Sequence, residues 1–201
     1  AMRVLVVGAG PIGLEMAAHA TREGFDVVLL EKGSCIASNI REWEHVELFS
    51  PWSLNMSEVG KEILQEMKLP LPQMDLFPTG SQYISSYLEH LEQYLRNCGK
   101  CQIHLNCEVL SIGRSSFLKR EHINSPKRQG AIFRALIYNS AENKEQFVED
   151  VQFLVDCSGT WNQPNHAGIG GIPALGETRM ISAGLIRQHI PNKERDGKTF
   201  L

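Results

Sequence analysis

Six residues, Gly8-Ala9-Gly10-Pro11-Ile12-Gly13, constrain the fold of this chain more than any others, because of what flanks them. Before them runs Arg3-Val4-Leu5-Val6-Val7, a short apolar, β-branched run that reads as a fully buried strand. After them, Leu14 to Glu23 is rich in helix formers and closes on Gly24. A second apolar strand, Asp26-Val27-Val28-Leu29-Leu30, ends on Glu31. Strand, glycine turn, helix, strand and terminal acid in this order form a βαβ dinucleotide fingerprint. Each part has a physical task. Gly8 permits the tight turn out of the strand. Gly10 lacks a side chain, so a pyrophosphate can approach the backbone. Gly13 lets the helix pack closely on the sheet. Pro11 fits the first helical turn, where a missing N–H costs little. The free N–H groups and positive dipole end of that helix attract phosphate. Glu31 can accept hydrogen bonds from both hydroxyls of an adenosine ribose.

The fingerprint needs a parallel sheet around it, and 201 residues can bury such a core. A hydrophobic content of 42% with 21% charge fits a water-soluble globular protein. The net charge of −3 supplies no electrostatic argument for nucleic acid or for an anionic membrane surface. No apolar run approaches the roughly 20 residues that span a bilayer. The first strand opens so early that no secretory signal is expected, and the cytoplasm is the expected compartment. Five cysteines, an odd number at low density, are expected as free thiols.

Cys98-Gly99-Lys100-Cys101 is a CxxC. A redox or metal role wants a helix N-terminus or a second ligand pair. Here the pair follows the end of a helix, with Gly99 as its punctuation, so a helix-end turn is the simpler reading.

Beyond Lys32 the period is lost until Ser57–Met67, an amphipathic helix with Val59, Ile63, Leu64 and Met67 on one side. Thr79 and Gln82 form a capping box for the next helix, whose stripe of Ile84, Tyr87, Leu88, Leu91, Tyr94 and Leu95 is core packing. The period changes to two from Gln102 to Leu105 and again from Glu108 to Ile112, while residues 115–130 read as a polar loop. Ile132–Tyr138, Gln146–Glu149 and Val151–Asp156 are expected to form an antiparallel meander, about 131–157. Asp196-Gly197-Lys198 reads as a turn, and Thr199-Phe200-Leu201 as the start of a strand. The expected class is α/β: a Rossmann-like parallel sheet with helices on both faces and an antiparallel meander.

With Gly8–Glu31, Glu108-Val109 and the run Phe153–Pro164 in view, the chain resembles flavoproteins with two dinucleotide domains. Among these it is similar to the flavin-containing monooxygenase-like group, with nearly the whole chain matching the FAD-binding half. The resemblance implies that Gly8, Gly10, Pro11, Ile12 and Gly13 line the pyrophosphate, and that Glu31 and Lys32 flank the ribose. It implies that Val109 meets the adenine through its backbone; as a plain core strand residue Val109 would do nothing of the kind. Ser158, Gly159 and Pro164 fall where such proteins cross, over about 158–201, toward an NAD(P)H domain expected beyond residue 201. Trp52, within Ser50–Asn55, either packs on the flavin or belongs to the core. The implied activity is reduction of FAD by NADPH or NADH, then O₂-dependent oxygenation of a small organic molecule. No catalytic residue is assigned, and no metal cluster competes.

Three departures stand beside the resemblance. No second GxGxxG is present. Gly184 is followed by Gln188 and only then His189, one place late for FxGxxxH. No CxxxxC surrounds Cys35, which argues against disulfide reduction. An NAD(P)-dependent dehydrogenase without flavin and a non-catalytic FAD-binding module are the alternatives.

Overall fold

The computed structural model describes residues 2–188 and 190–191. The expected turn at Gly197, the strand at Thr199–Leu201 and His189 lie outside the described residues. β1 (Arg3–Val7), α1 (Pro11–Arg22) and β2 (Asp26–Leu30) form the expected βαβ unit. Three helices follow: α2 (Ser38–Arg41), α3 (Trp52–Asn55) and α4 (Glu58–Glu66). The capping box at Thr79 then opens a rod made of α5 (Gly80–Tyr83), a π-helical segment (Ile84–Leu88) and α6 (Glu89–Asn97). The remaining elements are β3 (Cys101–His104), β4 (Cys107–Arg114), α7 (Pro126–Gln129), β5 (Phe133–Asn139), β6 (Lys144–Val151), β7 (Phe153–Asp156) and α8 (Glu177–Ser182).

A four-stranded parallel sheet has the order β3-β2-β1-β7. Successive strand residues point to opposite faces, which divides the core in two. Val4, Val6, Val27 and Leu29 meet Leu14, Ala17, Ala18, Ile63, Leu64, Leu91 and Leu95 of the helices. Leu5, Val28 and Leu30 meet Cys107, Ala135, Ile137 and Val151 on the other face. The α/β class with its parallel sheet and meander holds. The second face, however, is covered by a three-stranded antiparallel sheet, β4-β5-β6, where helices were expected on both.

The meander is also displaced along the chain. Val151–Asp156 was expected to be its last strand, yet Phe153–Asp156 pairs parallel with β1, Val4 opposite Phe153 and Val7 opposite Asp156. The antiparallel sheet takes β4 as its first strand instead. The reason is that β1 needs a neighbour on its free edge, and an apolar run of this length pairs in either sense. This correction matters for the site, because β7 delivers residues 156–159 beside the glycine turn.

One polar cluster ties the helical face together. Glu15 of α1 accepts hydrogen bonds from Ser57 N–H (3.1 Å), from the Ser57 hydroxyl and from the Tyr87 hydroxyl. Ser57 meanwhile caps α4 by accepting from Gly60 N–H at 2.9 Å. Tyr87 is fully buried, and its phenol is pushed above the ordinary tyrosine range by burial first and Glu15 second.

Candidate functional site

The glycine turn is built by two steric demands and one vacancy. Gly8 has φ +96°, and a Cβ there would lie 2.8 Å from the Cys157 carbonyl oxygen. A Cβ on Gly13 would overlap the Gly8 carbonyl oxygen, so α1 can sit this close to the turn only with glycine there. Gly13 therefore acts from behind the turn, as close helix–strand packing. Gly10 differs from both. Its φ of −76° and ψ of −174° suit any residue, and a Cβ there would meet nothing within 4 Å. Neither the backbone nor the packing requires glycine at this position. Gly10 also caps α1 without a side-chain bond, and the first intrahelical bond runs from Leu14 N–H to Gly10 C=O. The N–H groups of Ile12 and Gly13 consequently have no intrahelical acceptor.

The turn opens into a cleft of about 820 Å³. Gly8, Gly10, Pro11 and Ile12 line it from one side, and Glu31, Lys32 and Val109 from another. Ser158 and Gly159 close a third side. Trp52 is not among the lining residues. It is 6% exposed and packs edge-on against Tyr83 at 5.8 Å, which is the core alternative of the two expected for it. At the start of α3, Trp52 N–H and Ser53 N–H donate to the Leu76 and Met74 carbonyls, and the indole faces inward.

Glu31 is only 8% exposed and organises the cleft floor. Its Oε2 accepts from Ala9 N–H at 2.7 Å; its Oε1 accepts from Gly33 N–H at 2.7 Å and from the Ser38 hydroxyl at 3.0 Å. A carboxylate has about four acceptor directions, so only one remains free, on Oε2. Lys32 forms an ion pair with Glu108 at 2.7 Å across the cleft rim. β4 is an edge strand, and Cys107 N–H points away from β5 to the Glu31 carbonyl at 2.8 Å. Two residues on, the backbone polar groups of Val109 point the same way, into the cleft, just before a bulge between Val109 and Ser111.

Asp156 accepts from Ser158 N–H (3.0 Å) and from its hydroxyl (2.6 Å), and these bonds hold its carboxyl below the usual carboxylate range. Asp156, Ser38, Asn39 and Glu42 all line the cleft, and none was singled out for it from sequence. Ser38, Asn39 and Glu42 come from segments without periodic pattern, so no local signal marks them, and Asp156 ends a strand whose partner the sequence does not show. Burial first, then Asp156, pushes the Cys157 thiol up; burial and Glu142 do the same for Cys107. Cys98 donates to the Leu95 carbonyl at the helix end, and burial pushes Cys101 up to about 12. Cys98 thus caps the helix end, as the simpler reading had it, while Cys101 already belongs to β3, opposite Val27 of β2. Among the described residues no group of His, Cys, Asp and Glu could hold a metal, and no helix is long and apolar enough to cross a membrane.

The sequence profile described as pyridine nucleotide-disulphide oxidoreductase matches residues 5–127, from β1 through β4 and into α7. The chain belongs to the pyridine nucleotide-disulphide oxidoreductase family. Relatives of this family member include the probable indole-3-pyruvate monooxygenase YUCCA7 of Arabidopsis thaliana, 28% identical over 161 residues. That match covers 77% of this chain and 35% of the relative. The flavin-containing monooxygenase FMO GS-OX-like 2 of the same plant is 25% identical over 186 residues, 84% of this chain and 38% of the relative. The chain therefore spans little more than a third of the length of these relatives. Among solved structures, the bacillithiol disulfide reductase Bdr (YpdA) from Bacillus cereus superposes with a TM-score of 0.56 at 18% identity. It covers 85% of this chain and 43% of that one. A steroid monooxygenase in its oxidised, NADP-bound form gives 0.53 at 20% identity, over 85% of this chain and 27% of the other. These superpositions show that this family member shares their fold.

Proposed function

We propose that this chain is the FAD-binding part of an NAD(P)H-dependent flavoprotein monooxygenase that acts on a small organic molecule with O₂. The observation that carries the reading is Gly10: it is a glycine that only an incoming ligand requires, at the mouth of a helix whose first N–H groups lack acceptors. The named relatives support the monooxygenase part, and the NADP of the steroid monooxygenase supports the electron donor.

The residues present fit FAD. The N–H groups of Ile12 and Gly13, with the positive end of α1, bind its pyrophosphate. Gly8, Gly10 and Pro11 keep side-chain bulk away from that approach. Glu31 Oε2 takes one ribose hydroxyl; a second would have to displace Ser38 from Oε1, which narrows the two-hydroxyl expectation. Lys32 and Glu108 close the rim beside the ribose, and Val109 meets the adenine through its N–H and C=O. Ser158, fixed by Asp156, and Gly159 bound the pyrophosphate from the β7 side. The flavin, when bound, supplies hydride acceptance from NAD(P)H and activation of O₂. The hydride donor's own domain belongs, in this proposal, beyond residue 201. A cytoplasmic site of action is part of the same reading and agrees with the free cysteines.

The test is the visible spectrum of the purified chain, followed by titration of FAD and, separately, NADH. Yellow protein with the two flavin bands, or tight uptake of added FAD, is expected. A folded chain that binds NADH and ignores FAD would replace the proposal by a flavin-free dehydrogenase. Bound FAD in a longer form that never couples NADPH oxidation to O₂ would leave a binding module.

A further inference from the structure

Of the nine prolines in the chain, Pro51 and Pro126 directly follow a serine, and none follows a threonine. The two Ser-Pro steps start from the same local chemistry, since proline pushes the residue before it toward extended backbone. The fold then separates them. The Ser50 hydroxyl donates to Asn55 Oδ1 at 2.8 Å, and Asn55 Nδ2 donates back to the Ser50 carbonyl at 2.8 Å. Trp52, two places on, is buried, and its N–H is held by the Leu76 carbonyl. A partner that straightened residues 50–53 would have to draw that indole out of the core.

Ser125 lies in the connection from β4 to β5, with φ −102° and ψ 140°, already extended. Residues 118–124, Pro126 and Lys127 are exposed. The Ser125 hydroxyl accepts from Lys127 N–H at 3.3 Å, beyond the usual length of such a bond. α7, which follows, is a single turn that buries no residue, and a helix this short has little stability of its own. Residues 125–128 can therefore straighten without disturbing either core.

The connection is also cationic. Between Ser115 and Gly130 stand Lys119, Arg120, Lys127 and Arg128 against Glu121, in a chain whose net charge is −3. Arg128 stands three places after Ser125. Its Nη1 donates to the Glu121 carbonyl at 2.6 Å and to the Lys119 carbonyl at 3.2 Å. Both bonds are exposed, so water replaces them when the turn opens.

We propose that Ser125 is a phosphorylation site, the acceptor for a proline-directed protein kinase that also reads the cation three residues on. In the transfer, Ser125 Oγ attacks the γ-phosphorus of ATP, and the bond from that phosphorus to the β–γ bridging oxygen breaks. ADP leaves, and the hydroxyl proton passes to the catalytic carboxylate of the kinase. Pro126 suits a pocket that offers no acceptor at that place, because it brings no N–H to satisfy. Arg128 meets an acidic kinase surface. Ser50 fails on both counts, with Ser53 at the third place and its extension opposed by packing. The new phosphate carries a charge of about −1.5 to −2, which cancels about half or more of the positive excess of the loop. The site lies outside the flavoprotein reading and does not depend on it.

The test incubates the folded full chain with Mg-ATP and a purified cyclin-dependent kinase, and reads sites and rates by mass spectrometry. A free peptide of residues 119–132 is the comparison. Phosphate is expected on Ser125, at a rate at least about tenfold above Ser50. Pro126→Ala and Arg128→Gln should each slow the Ser125 rate by about tenfold, and Arg128→Lys should recover most of it. Because the wild-type chain alone identifies the site, the proposal does not hang on the folding of a variant. A chain left unlabelled while the peptide is labelled overturns it, since the fold then withholds Ser125. Labelling of neither, preference for Ser50, Ser115 or Ser116, or indifference of the rate to Pro126 and Arg128 overturns it as well.

Discussion

Substituting Gly10 by valine separates a ligand's demand for glycine from the fold's demand. The backbone at Gly10 is ordinary extended chain, and a Cβ meets no atom within 4 Å. The bond from Leu14 N–H to the Gly10 carbonyl, 3.0 Å, does not involve a side chain. Valine is a poorer N-cap than glycine, by up to about 1 kcal/mol. For a chain of this size that lowers the melting temperature by about 2–4 °C. The effect on ligand is far larger. The isopropyl group projects into the space above the Ile12 and Gly13 N–H groups, where the pyrophosphate would arrive. Each N–H bond to a phosphate oxygen is charge-assisted, worth about 1.5–3 kcal/mol. Losing two weakens FAD by about 3–6 kcal/mol, or roughly 10²- to 10⁴-fold. The assay pairs a thermal melt with FAD titration by flavin fluorescence. The expected variant is folded and colourless. Gly13→Ala supplies the contrast, because its Cβ overlaps the Gly8 carbonyl and stability itself must fall. A folded Gly10→Val chain that keeps full FAD affinity would refute the reasoning.

Glu31→Ala removes the free Oε2 direction and leaves the Ala9 and Gly33 N–H groups unpaired, so FAD should weaken by about ten- to a hundredfold with a lowered melting temperature; calorimetry showing an unchanged Kd would exclude a ribose role. Tyr87→Phe strips one donor from the Glu15 cluster and should cost about 1–3 kcal/mol in urea unfolding without altering FAD uptake. Glu177, whose folded pKa is lowered by the hydrogen bonds it accepts from Ala174 N–H and Ala167 N–H, contributes stability that is complete above its unfolded value of about 4.5 and lost as pH falls through the folded value. The stability difference between wild type and Glu177→Gln should therefore shrink below pH ~4.5, and a difference that persists at lower pH would contradict the assigned bonds. Finally, the FAD-loaded chain mixed anaerobically with micromolar NADPH should keep its visible band, since the sequence holds one glycine fingerprint; rapid bleaching in stopped flow would place the donor site within these residues.

The local chemistry of the site could be read from sequence alone. Gly8–Gly13 between an apolar strand and a helix, Glu31 closing β2, and the Thr79–Gln82 capping box are interactions among near neighbours, so spacing suffices to see them. The two-residue period of β4 was visible for the same reason. What tertiary structure alone decided was partnership and direction. Phe153–Asp156 carries the same apolar alternation whether it ends a meander or joins β1, and only β1's need for an edge neighbour assigns it. Trp52 faces inward where the carbonyls of residues 74 and 76 hold the first turn of α3, a contact more than twenty residues away in the chain. Ser38, Asn39 and Glu42 reach the cleft from unpatterned segments, Asp156 reaches it on the strand that joins β1, and Glu177 finds Ala167 and His166 only once the loop has folded back. Periodicity tells which face a side chain takes, but the partner on that face is chosen by packing across the whole chain.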